Sequence, residues 1–463
     1  MLDVVIVGGG ISGLAAAWRL EKHCKIGNYA LLEAGSQWGG KMESRRVEVE
    51  GKAFLVDGGP DTILTRKVES WNMTLEAGLE GEVLVPAAET RNIYVLDNGV
   101  PRALPLSVGE FLRTQLLSWP GRLRMLAEPL IAPRRDDGDE SLLAFASRRL
   151  GRQAAEKMIG PVLGGIYNAD PASQSVLVSA PLMRQMEREG GSLVGGSLRR
   201  MGIRRPMGSD GKPAPRSINY KEGMAQLPKA VAAGLGGQLE LHCRVSEISP
   251  LPGGYLVRAE DGRQWQARTV ILATLAPVSA ALLRGAMPQV AQKLGLIPHS
   301  NIGTLTLVYR QQDLPSQPPV FGLMIPRTEK RPIDAVVMTH QKMPSRGHSG
   351  FGMVRVFFGG SQPELLQASD PDLLGVVREE LRALLKIEAA PLGQVVFRWP
   401  GGFPQAGVGH LGKVAEIEAM LPDGLFLAGS SYRGIAVPDC IRQGNEAADG
   451  VAAKLGKPVA AAA

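Results

Sequence analysis

The chain opens on a short apolar run, and the hydrophobic pattern after it alternates between buried strands and apolar helices. Residues 4–7 are all β-branched, which is typical of a strand covered on both faces of a parallel sheet. An apolar helix is predicted over 11–22 and a second buried strand over Tyr29–Leu32, and the run 269–274 later returns to the strand pattern. These elements predict an α/β fold with a Rossmann-type domain built from distant parts of the chain.

Another set of segments alternates between apolar and polar residues, as strands with one covered face do. They are 303–309, 335–339 and 352–358, and they predict a mixed-sheet domain that covers a cavity. Hairpins are predicted around the Asp-Asn-Gly at 97–99 and the Asp-Gly at 261–262. Helices over about 371–385 and 439–455 complete the pattern.

Residues 105–200 are predicted to be mostly helical, with breaks at prolines. The stretch 161–171 is too rich in glycine for the middle of a helix, and 203–217 has the composition of an exposed loop or linker. The pattern therefore divides the chain into three domains made of separate segments. A dinucleotide-binding domain takes 1–85, 218–285 and 411–463, a substrate domain takes 86–104 and 286–410, and a helical domain takes 105–217.

Charge adds a second property to the helical domain. The net charge of the chain is +7, and pairs of arginines at 122–124, 134–135, 148–149 and 199–200 fall within this domain beside many leucines. Basic residues interleaved with apolar ones suit contact with a membrane surface. The same leucines could equally form the core of a helical domain, and both interpretations stay open here.

Composition and spacing argue against several other classes of protein. No zinc-finger spacing, basic helix or aromatic-basic ladder points to nucleic acid. The three cysteines are scattered, which favours a reducing compartment and no metal site. The dinucleotide-binding strand starts at residue 2, so no signal peptide is expected, and the longest uncharged apolar run, 270–283, is too short to cross a bilayer.

The turn after the first strand carries the clearest chemistry. Gly8, Gly10 and Gly13 have the G-x-G-x-x-G spacing that brings a pyrophosphate to the N-terminus of a helix. Glu33 ends the second strand, where its carboxylate would accept hydrogen bonds from ribose hydroxyls. Gly39-Gly40-Lys41, the loop 57–61 and the strand-turn 425–430 add further close approaches, which favours an extended FAD over NAD.

Ordered motifs over the chain resemble the oxygen-dependent, FAD-containing protoporphyrinogen oxidase family, within the amine-oxidase-like flavoproteins. The motif that carries most of this resemblance runs over 427–441, Leu-Ala-Gly-Ser-Ser-Tyr-Arg-Gly-Ile-Ala-Val-Pro-Asp-Cys-Ile. Three others agree: the Gly-Gly-Ile-Tyr stretch at 164–170, Phe-Gly-Leu-Met-Ile-Pro at 321–326, and Arg-Trp-Pro at 398–400 with the segments at 403–410.

The resemblance implies a non-covalent FAD site made from both ends of the chain. The residues expected to contact FAD are Gly8, Gly9, Gly10, Ile11, Ser12, Gly13, Glu33, Ala34, Lys41, Gly59, Pro60, Asp61, Thr62, Val245, Trp399, Ile435, Ala436 and Val437. The helix that starts near Pro438 would direct its positive end at the reduced flavin.

The resemblance also implies an apolar substrate cavity over the flavin. It would be lined by Phe321, Gly322, Met324, Ile325 and Phe357, with Arg91 pairing with a propionate and Arg433 as a weaker candidate for that role. The implied reaction is the six-electron oxidation of protoporphyrinogen IX in haem biosynthesis. In it, hydride passes from a meso carbon to flavin N5, a pyrrole N–H loses its proton, and dioxygen is reduced to hydrogen peroxide. No side-chain catalyst is expected, and His299, His340 and His410 are interpreted as structural.

Several alternatives remain at this stage. Coproporphyrinogen III, with four carboxylates instead of two, is the first. A flavin amine oxidase, a carotenoid desaturase, a non-catalytic FAD-binding scaffold and a protein that acts through its surface charge are the others. The partners that the resemblance implies are the porphyrinogen, dioxygen, the inner face of the cell membrane, and a ferrochelatase or second copy of the chain. The expected location is the cytoplasm or that membrane face, with no nucleic acid bound.

Overall fold

The computed structural model describes residues 1–87, 93–200, 206–209, 211–315 and 322–458. Its strands are β1 (Leu2–Val7), β2 (Tyr29–Leu32), β3 (Ser44–Val49), β4 (Lys52–Asp57), β5 (Ile63–Leu64), β6 (Val83–Leu84), β7 (Ile93–Asp97), β8 (Val100–Ala103), β9 (Ser217–Tyr220), β10 (Gln238–Glu240), β11 (Val245–Leu251), β12 (Gly254–Ala259), β13 (Gln264–Leu272), β14 (His299–Arg310), β15 (Gly322–Met324), β16 (Ile333–Met338), β17 (Phe351–Phe358), β18 (Gly393–Pro404) and β19 (Leu425–Leu427).

Its helices are α1 (Ile11–Trp18), α2 (Val68–Glu76), α3 (Val108–Arg113), α4 (Trp119–Leu126), α5 (Leu142–Leu150), α6 (Arg152–Ala154), α7 (Gly160–Tyr167), α8 (Val176–Ser179), α9 (Pro181–Gly190), α10 (Leu193–Arg200), α11 (Gln226–Ala233), α12 (Ala276–Leu283), α13 (Pro288–Gly295), α14 (Thr339–Lys342), α15 (Asp370–Leu385), α16 (His410–Met420) and α17 (Val437–Lys454).

The first sheet joins strands from the two ends and the middle of the chain. Its order is β10-β2-β1-β13-β12-β11, and β19 pairs with the second half of β13. β2, β1, β13 and β19 run parallel to their neighbours, whereas β12 and β11 are antiparallel. The residues of β1 from Val4 to Val7 are at most 4% exposed, because helices or further layers cover both faces.

The second sheet has the order β18-β14-β17-β16-β15-β7-β8. Direct pairing aligns Leu323, Val336, Val356, Leu305 and Val396 across one face. This face packs on α15 through a core that includes Leu373, Val377 and Leu381. The opposite face is directed toward the loop that follows β4, since Thr304 of β14 donates a hydrogen bond to the Gly58 carbonyl.

Most of the predicted elements are confirmed, and three differ in an informative way. Residues 264–272 form one continuous strand, so the second strand of the hairpin around 261–262 and the predicted third buried strand are a single element. Residues 393–404 form a long strand that carries Trp399, although the pattern did not predict a strand there. The breaks expected at Pro120 and Pro181 are helix starts, because each proline occupies the first turn, where its missing N–H costs nothing. Pro161 follows the π-helical turn Ala155–Ile159 within one continuous helical stretch.

The prediction that 161–171 is not part of a helix is wrong for residues 161–167. α7 includes Gly164, Gly165 and Tyr167, and it ends at Asn168, whose backbone is left-handed (φ +45°). The small residues allow close packing: a Cβ added at Gly164 would lie 3.0 Å from the Ala169 carbonyl oxygen. Asn168 also donates to the Asn301 carbonyl at 2.8 Å, which attaches the end of α7 to β14.

Candidate functional site

The turn between β1 and α1 has the geometry that a pyrophosphate requires. Gly8 adopts φ +109°, and a Cβ at Gly13 would lie 1.9 Å from the Gly8 carbonyl oxygen, so neither position tolerates a side chain. Gly10 differs, because a Cβ added there would meet no atom within 4 Å. The space in front of Gly10 is therefore open to a ligand, next to Ile11 and Ser12 in the uncapped first turn of α1.

Glu33 is held at the end of β2 by two backbone groups. The N–H of Gly9 and the N–H of Gly35 each donate to one of its carboxylate oxygens at 2.7 Å. These bonds fix the carboxylate while leaving lone pairs on both oxygens for ribose hydroxyls. Ala34, next in the chain, is exposed. Val245 begins β11 near the same point, because the Cys243 N–H donates to the Glu33 carbonyl at 2.8 Å.

Lys41 lies at the inner end of this turn without a counter-ion. It forms no ion pair with any residue that the structure describes. Burial lowers the pKa of its ammonium group, and the nearby Cys440 thiol offsets this effect only in part. The negative charge of a pyrophosphate beside Lys41 would favour its charged form. The open space at Gly10 and the unpaired Lys41 together fit the pyrophosphate of FAD.

The N-terminus of α17 lies beside that of α1. A Cβ at Gly444 would be 2.2 Å from the Ser12 carbonyl oxygen, so the two helices are in close contact. The first turn of α17, after Ala436 and including Val437, has no side-chain cap, and Ile435 and Val437 are half-buried. Its free N–H groups suit the electron-rich end of a flavin.

The loop 58–62 joins this site to the second sheet. Three side chains donate to the Gly58 carbonyl: Thr304 at 3.2 Å, Arg355 at 3.0 Å and the Trp399 indole at 3.4 Å. A Cβ at Gly59 would lie 2.1 Å from the Lys41 carbonyl oxygen, so Gly59 and Pro60 rest on the nucleotide turn. Trp399 is thereby placed at the junction, stacked on Phe397 at 6.3 Å.

Asp61 anchors the far end of the loop. Its carboxylate accepts from Lys342 at 2.6 Å and from Thr62 at 3.2 Å. Burial alone would raise its pKa, but Lys342 and Arg355 outweigh burial and lower the pKa to about 2. Asp61 is therefore ionised at neutral pH and acts as a fixed anchor. Arg355 and Lys342 were not predicted from the sequence, although an arginine inside the apolar strand 353–358 is a usable signal of a buried charge partner.

A row of directly paired residues lies on the face of the second sheet that is directed toward the loop 58–62. Met324, Ala335, Phe357 and Thr304 are directly paired across β15, β16, β17 and β14. Gly322 lies in the neighbouring row, and α7 covers this edge, since a Cβ at Gly165 would be 3.2 Å from Met324 Sδ. Ile325 does not join them, because it is 6% exposed and packs in the core on the α15 side. Arg91 and Phe321 lie outside the described residues.

The histidines hold backbone rather than reacting atoms. His299 contacts the Ile297 carbonyl at 2.9 Å and the Ser431 hydroxyl at 3.0 Å, and His410 Nε2 contacts the Tyr432 carbonyl at 2.8 Å. His340 Nδ1 contacts the Met353 carbonyl at 3.0 Å. Burial lowers the pKa of all three imidazoles. They position strands and the segment before α17.

Comparison with known proteins agrees with this geometry. The model of the family described as flavin containing amine oxidoreductase matches residues 11–452. The chain is 27% identical to the coproporphyrinogen III oxidase of Bacillus subtilis over 96% of both chains, and 28% identical to the chloroplastic protoporphyrinogen oxidase of Nicotiana tabacum over 98% of this chain and 86% of the relative. A crystal structure from Exiguobacterium sp. 255-15, provisionally named a protoporphyrinogen oxidase, superposes with a TM-score of 0.82 at 26% identity over 98% and 99% of the two chains.

Gly10→Ala tests the open position in the nucleotide turn. The new methyl group meets no protein atom, so the thermal stability of the apoprotein should not change. FAD affinity should fall about tenfold or more, because the methyl group occupies the approach of the phosphate. Titration of apoprotein with FAD, followed by flavin fluorescence, measures this. Gly27→Ala is the control, since a Cβ there also meets no atom and the site is distant in the fold; equal losses in both variants would contradict the assignment.

His410→Gln tests the buried histidine beneath the segment before α17. The pKa of His410 in the folded protein is below the ordinary 6.5. Between these two pKa values the unfolded chain binds more protons than the folded protein, so the free energy of unfolding falls as the pH is lowered. Glutamine can still donate to the Tyr432 carbonyl. The variant should therefore lose up to about 1.4 kcal/mol per pH unit from the slope of unfolding free energy below pH 6.5. Denaturant unfolding between pH 5 and 7.5 measures the slope, and an unchanged slope in the variant would contradict this account.

Proposed function

Because the chain belongs to the family of flavin-containing amine oxidoreductases and uses FAD, we propose that it oxidises a porphyrinogen to the porphyrin, with protoporphyrinogen IX as substrate. The observation that carries this proposal is the row of Met324, Ala335 and Phe357, three uncharged side chains on the sheet face directed toward the loop 58–62, to which Trp399 also donates. The Arg355 guanidinium lies 4.7 Å from the centre of the Phe357 ring. A porphyrinogen is apolar in its middle and anionic at its edge, so an uncharged surface over the ring centre suits it. The named relatives support the same substrate class.

The residues of this chain would contribute binding and orientation. FAD, when bound, supplies the hydride acceptor, and dioxygen is the proposed final acceptor. Met324 and Phe357 would hold the tetrapyrrole against the loop 58–62, and α7 would exclude water from one edge. The uncapped first turn of α17 would stabilise negative charge at the flavin end of the site.

The two nearest alternatives differ in their fit. An amine oxidase usually presents aromatic side chains at the flavin, but Tyr432 is 1% exposed and its hydroxyl lies 3.2 Å from the buried Ser279 hydroxyl. Arg433, the weaker candidate for a propionate, forms an ion pair with Glu418 instead. Coproporphyrinogen III is the second candidate substrate, favoured by the name of the Bacillus subtilis relative.

Anaerobic mixing of the FAD-loaded protein with each porphyrinogen tests the reaction. Protoporphyrinogen IX should bleach the flavin absorbance faster than coproporphyrinogen III, and admission of air should restore the absorbance with porphyrin fluorescence. Met324→Glu should slow bleaching about tenfold or more without changing FAD content, because it places a charge under the tetrapyrrole. Leu392→Glu, at a position 42% exposed on the surface, is the control. Faster bleaching by coproporphyrinogen III would transfer the proposal to that substrate, and bleaching by an amine alone would refute it.

The helical domain would bring the protein to a membrane surface. Leu116 and Leu117 belong to the core of this domain, whereas a set of apolar side chains on and near α3 and α4 is 49–86% exposed. We call this set the α3–α4 apolar surface, and its members are Leu106, Val108, Leu112, Trp119, Leu123, Leu126 and Leu130. Arg122 stacks on the Trp119 ring at 4.6 Å, so a cation accompanies it. No helix in the described part of the chain is long and apolar enough to cross a bilayer.

Co-sedimentation with vesicles that contain phosphatidylglycerol tests this contact. The protein should bind these vesicles at low salt. The affinity of the triple variant Trp119→Ser, Leu123→Ser, Leu130→Ser for the vesicles should be at least about tenfold lower, because the variant lacks apolar area that would enter the interface. Leu296→Ser, at a position 70% exposed elsewhere, should bind like the original protein. Equal binding by the triple variant, or none by the original protein at low salt, would refute the proposal.

A further inference from the structure

A small internal cavity lies behind the loop 58–62, on the side away from the nucleotide turn. Its walls come from β4, β9, β14, β17 and the α14 region, and they include Asp57, Asp61, Asn219, Arg346 and Arg355. Thr306 and Arg355 are direct partners across β14 and β17, one row along from Phe357. The cavity therefore adjoins the proposed substrate face without being part of it.

Five buried polar atoms in these walls have no hydrogen-bond partner among the described residues. They are Thr306 Oγ1, Thr339 Oγ1, Arg346 Nε, Arg355 Nε and Arg355 Nη1. The side chain of Arg355 is 2% exposed and that of Arg346 is 5% exposed, so bulk water does not reach them. A buried donor that makes no hydrogen bond costs about 1–3 kcal/mol, and more when the group is charged. An occupant that accepts hydrogen bonds would remove this cost.

The carboxylates in the walls are already engaged. Asp57 accepts from Ser44, Asn219, the Met224 N–H and Arg346, at 2.5–2.9 Å. The closest described carboxylate to Arg355 is Asp61, at 3.8 Å, and the other oxygen of Asp61 binds Lys342. Burial lowers the pKa of the Arg355 guanidinium, which reports the same incomplete compensation. The Arg355 guanidinium lies over the Phe357 ring at 4.7 Å, but no carboxylate of a described residue is within hydrogen-bond distance of it.

We propose that this cavity binds one small monovalent anion of about the size of chloride, held by Arg355, Arg346, Thr306 and Thr339. Three of the unpartnered atoms are guanidinium N–H groups that only donate, and the two hydroxyls can turn to donate as well. A single water accepts at most two hydrogen bonds, whereas a halide can accept more. The cavity volume is about 20 Å³, and one water-sized occupant needs about 10–15 Å³.

The anion would act on the loop through Arg355. The same guanidinium donates from Nη2 to the Gly58 and Gly59 carbonyls at 3.0 and 2.7 Å. An anion bound to Nε and Nη1 would complete the hydrogen bonds of Arg355. It would thereby hold the loop 58–62 in the conformation in which Gly59 contacts Lys41. Anion binding would therefore stabilise the folded protein in a saturable way.

Bromide is the probe that locates the site. Crystals of the FAD-loaded protein soaked in sodium bromide should show an anomalous peak in the cavity, in contact with Arg355 and Thr306. Ordered water alone at that position, with no anomalous signal, would refute the proposal.

Thermal unfolding supplies the second measurement. At equal ionic strength, sodium chloride should raise the melting temperature of the holoprotein saturably above that in sodium gluconate, whose anion is too large for the cavity. Thr306→Val removes one donor with little change of shape and should weaken the chloride effect at least fivefold. Thr304→Val is the matched control on the same strand and face, because its hydroxyl binds the Gly58 carbonyl outside the cavity. A chloride effect that is absent, or equal in both variants, would contradict the site.

Discussion

The close contact between α1 and α17 is the constraint on which the rest of the site depends. Gly444 of α17 packs where any Cβ would overlap the Ser12 carbonyl, and Gly13 of α1 packs equally close to Gly8. Two helices from opposite ends of the chain thereby pack directly against each other. Their first turns have no side-chain cap, so their N–H groups would be available to a single extended ligand, one helix at the pyrophosphate and one at the flavin. The cofactor site is therefore a product of backbone placement more than of charged side chains.

The loop 58–62 passes this geometry on to the second sheet. Gly59 contacts Lys41 on one side of the loop, and the Gly58 carbonyl accepts from Thr304, Arg355 and Trp399 on the other. Buried charges at both ends, Asp57 with Arg346 and Asp61 with Lys342, keep the loop in place. Buried ion pairs of this kind contribute little net stability, but breaking one partner leaves a costly unpaired charge. The loop is thus restricted to one conformation, and the apolar face with Met324 and Phe357 keeps a defined relation to the cofactor.

The sequence predicted the parts of the molecule that local patterns determine. The glycine spacing, the run of β-branched residues and the Asn-Gly turn each act within a few residues, and the structure confirms the elements they predict. Arg355, Lys342 and the fate of Ile325 depend on which face of a strand meets which neighbour, and a register of this kind is not visible in one sequence. The glycines of α7 were misread for a related reason: tertiary packing against Ala169 and Met324 outweighs their low helix propensity. The sequence did not decide whether the leucines of the helical domain form its core or its surface, because their burial depends on how the helices pack.

The strands of the first sheet are far apart in the sequence, and this has a consequence for the synthesis and folding of the protein. β1 is synthesised first, yet its neighbour β13 lies at Gln264–Leu272, and β19 and α17 come only after residue 424. At roughly 5–20 residues per second, a ribosome needs about 20–85 s to deliver the last of these partners. During that time β2 is already present on one side of β1, but the edge of β1 that pairs with β13 in the folded protein has no native neighbour. The nascent chain should therefore depend on chaperones that shield its first thirty or so residues, and its N-terminal segment expressed alone should aggregate.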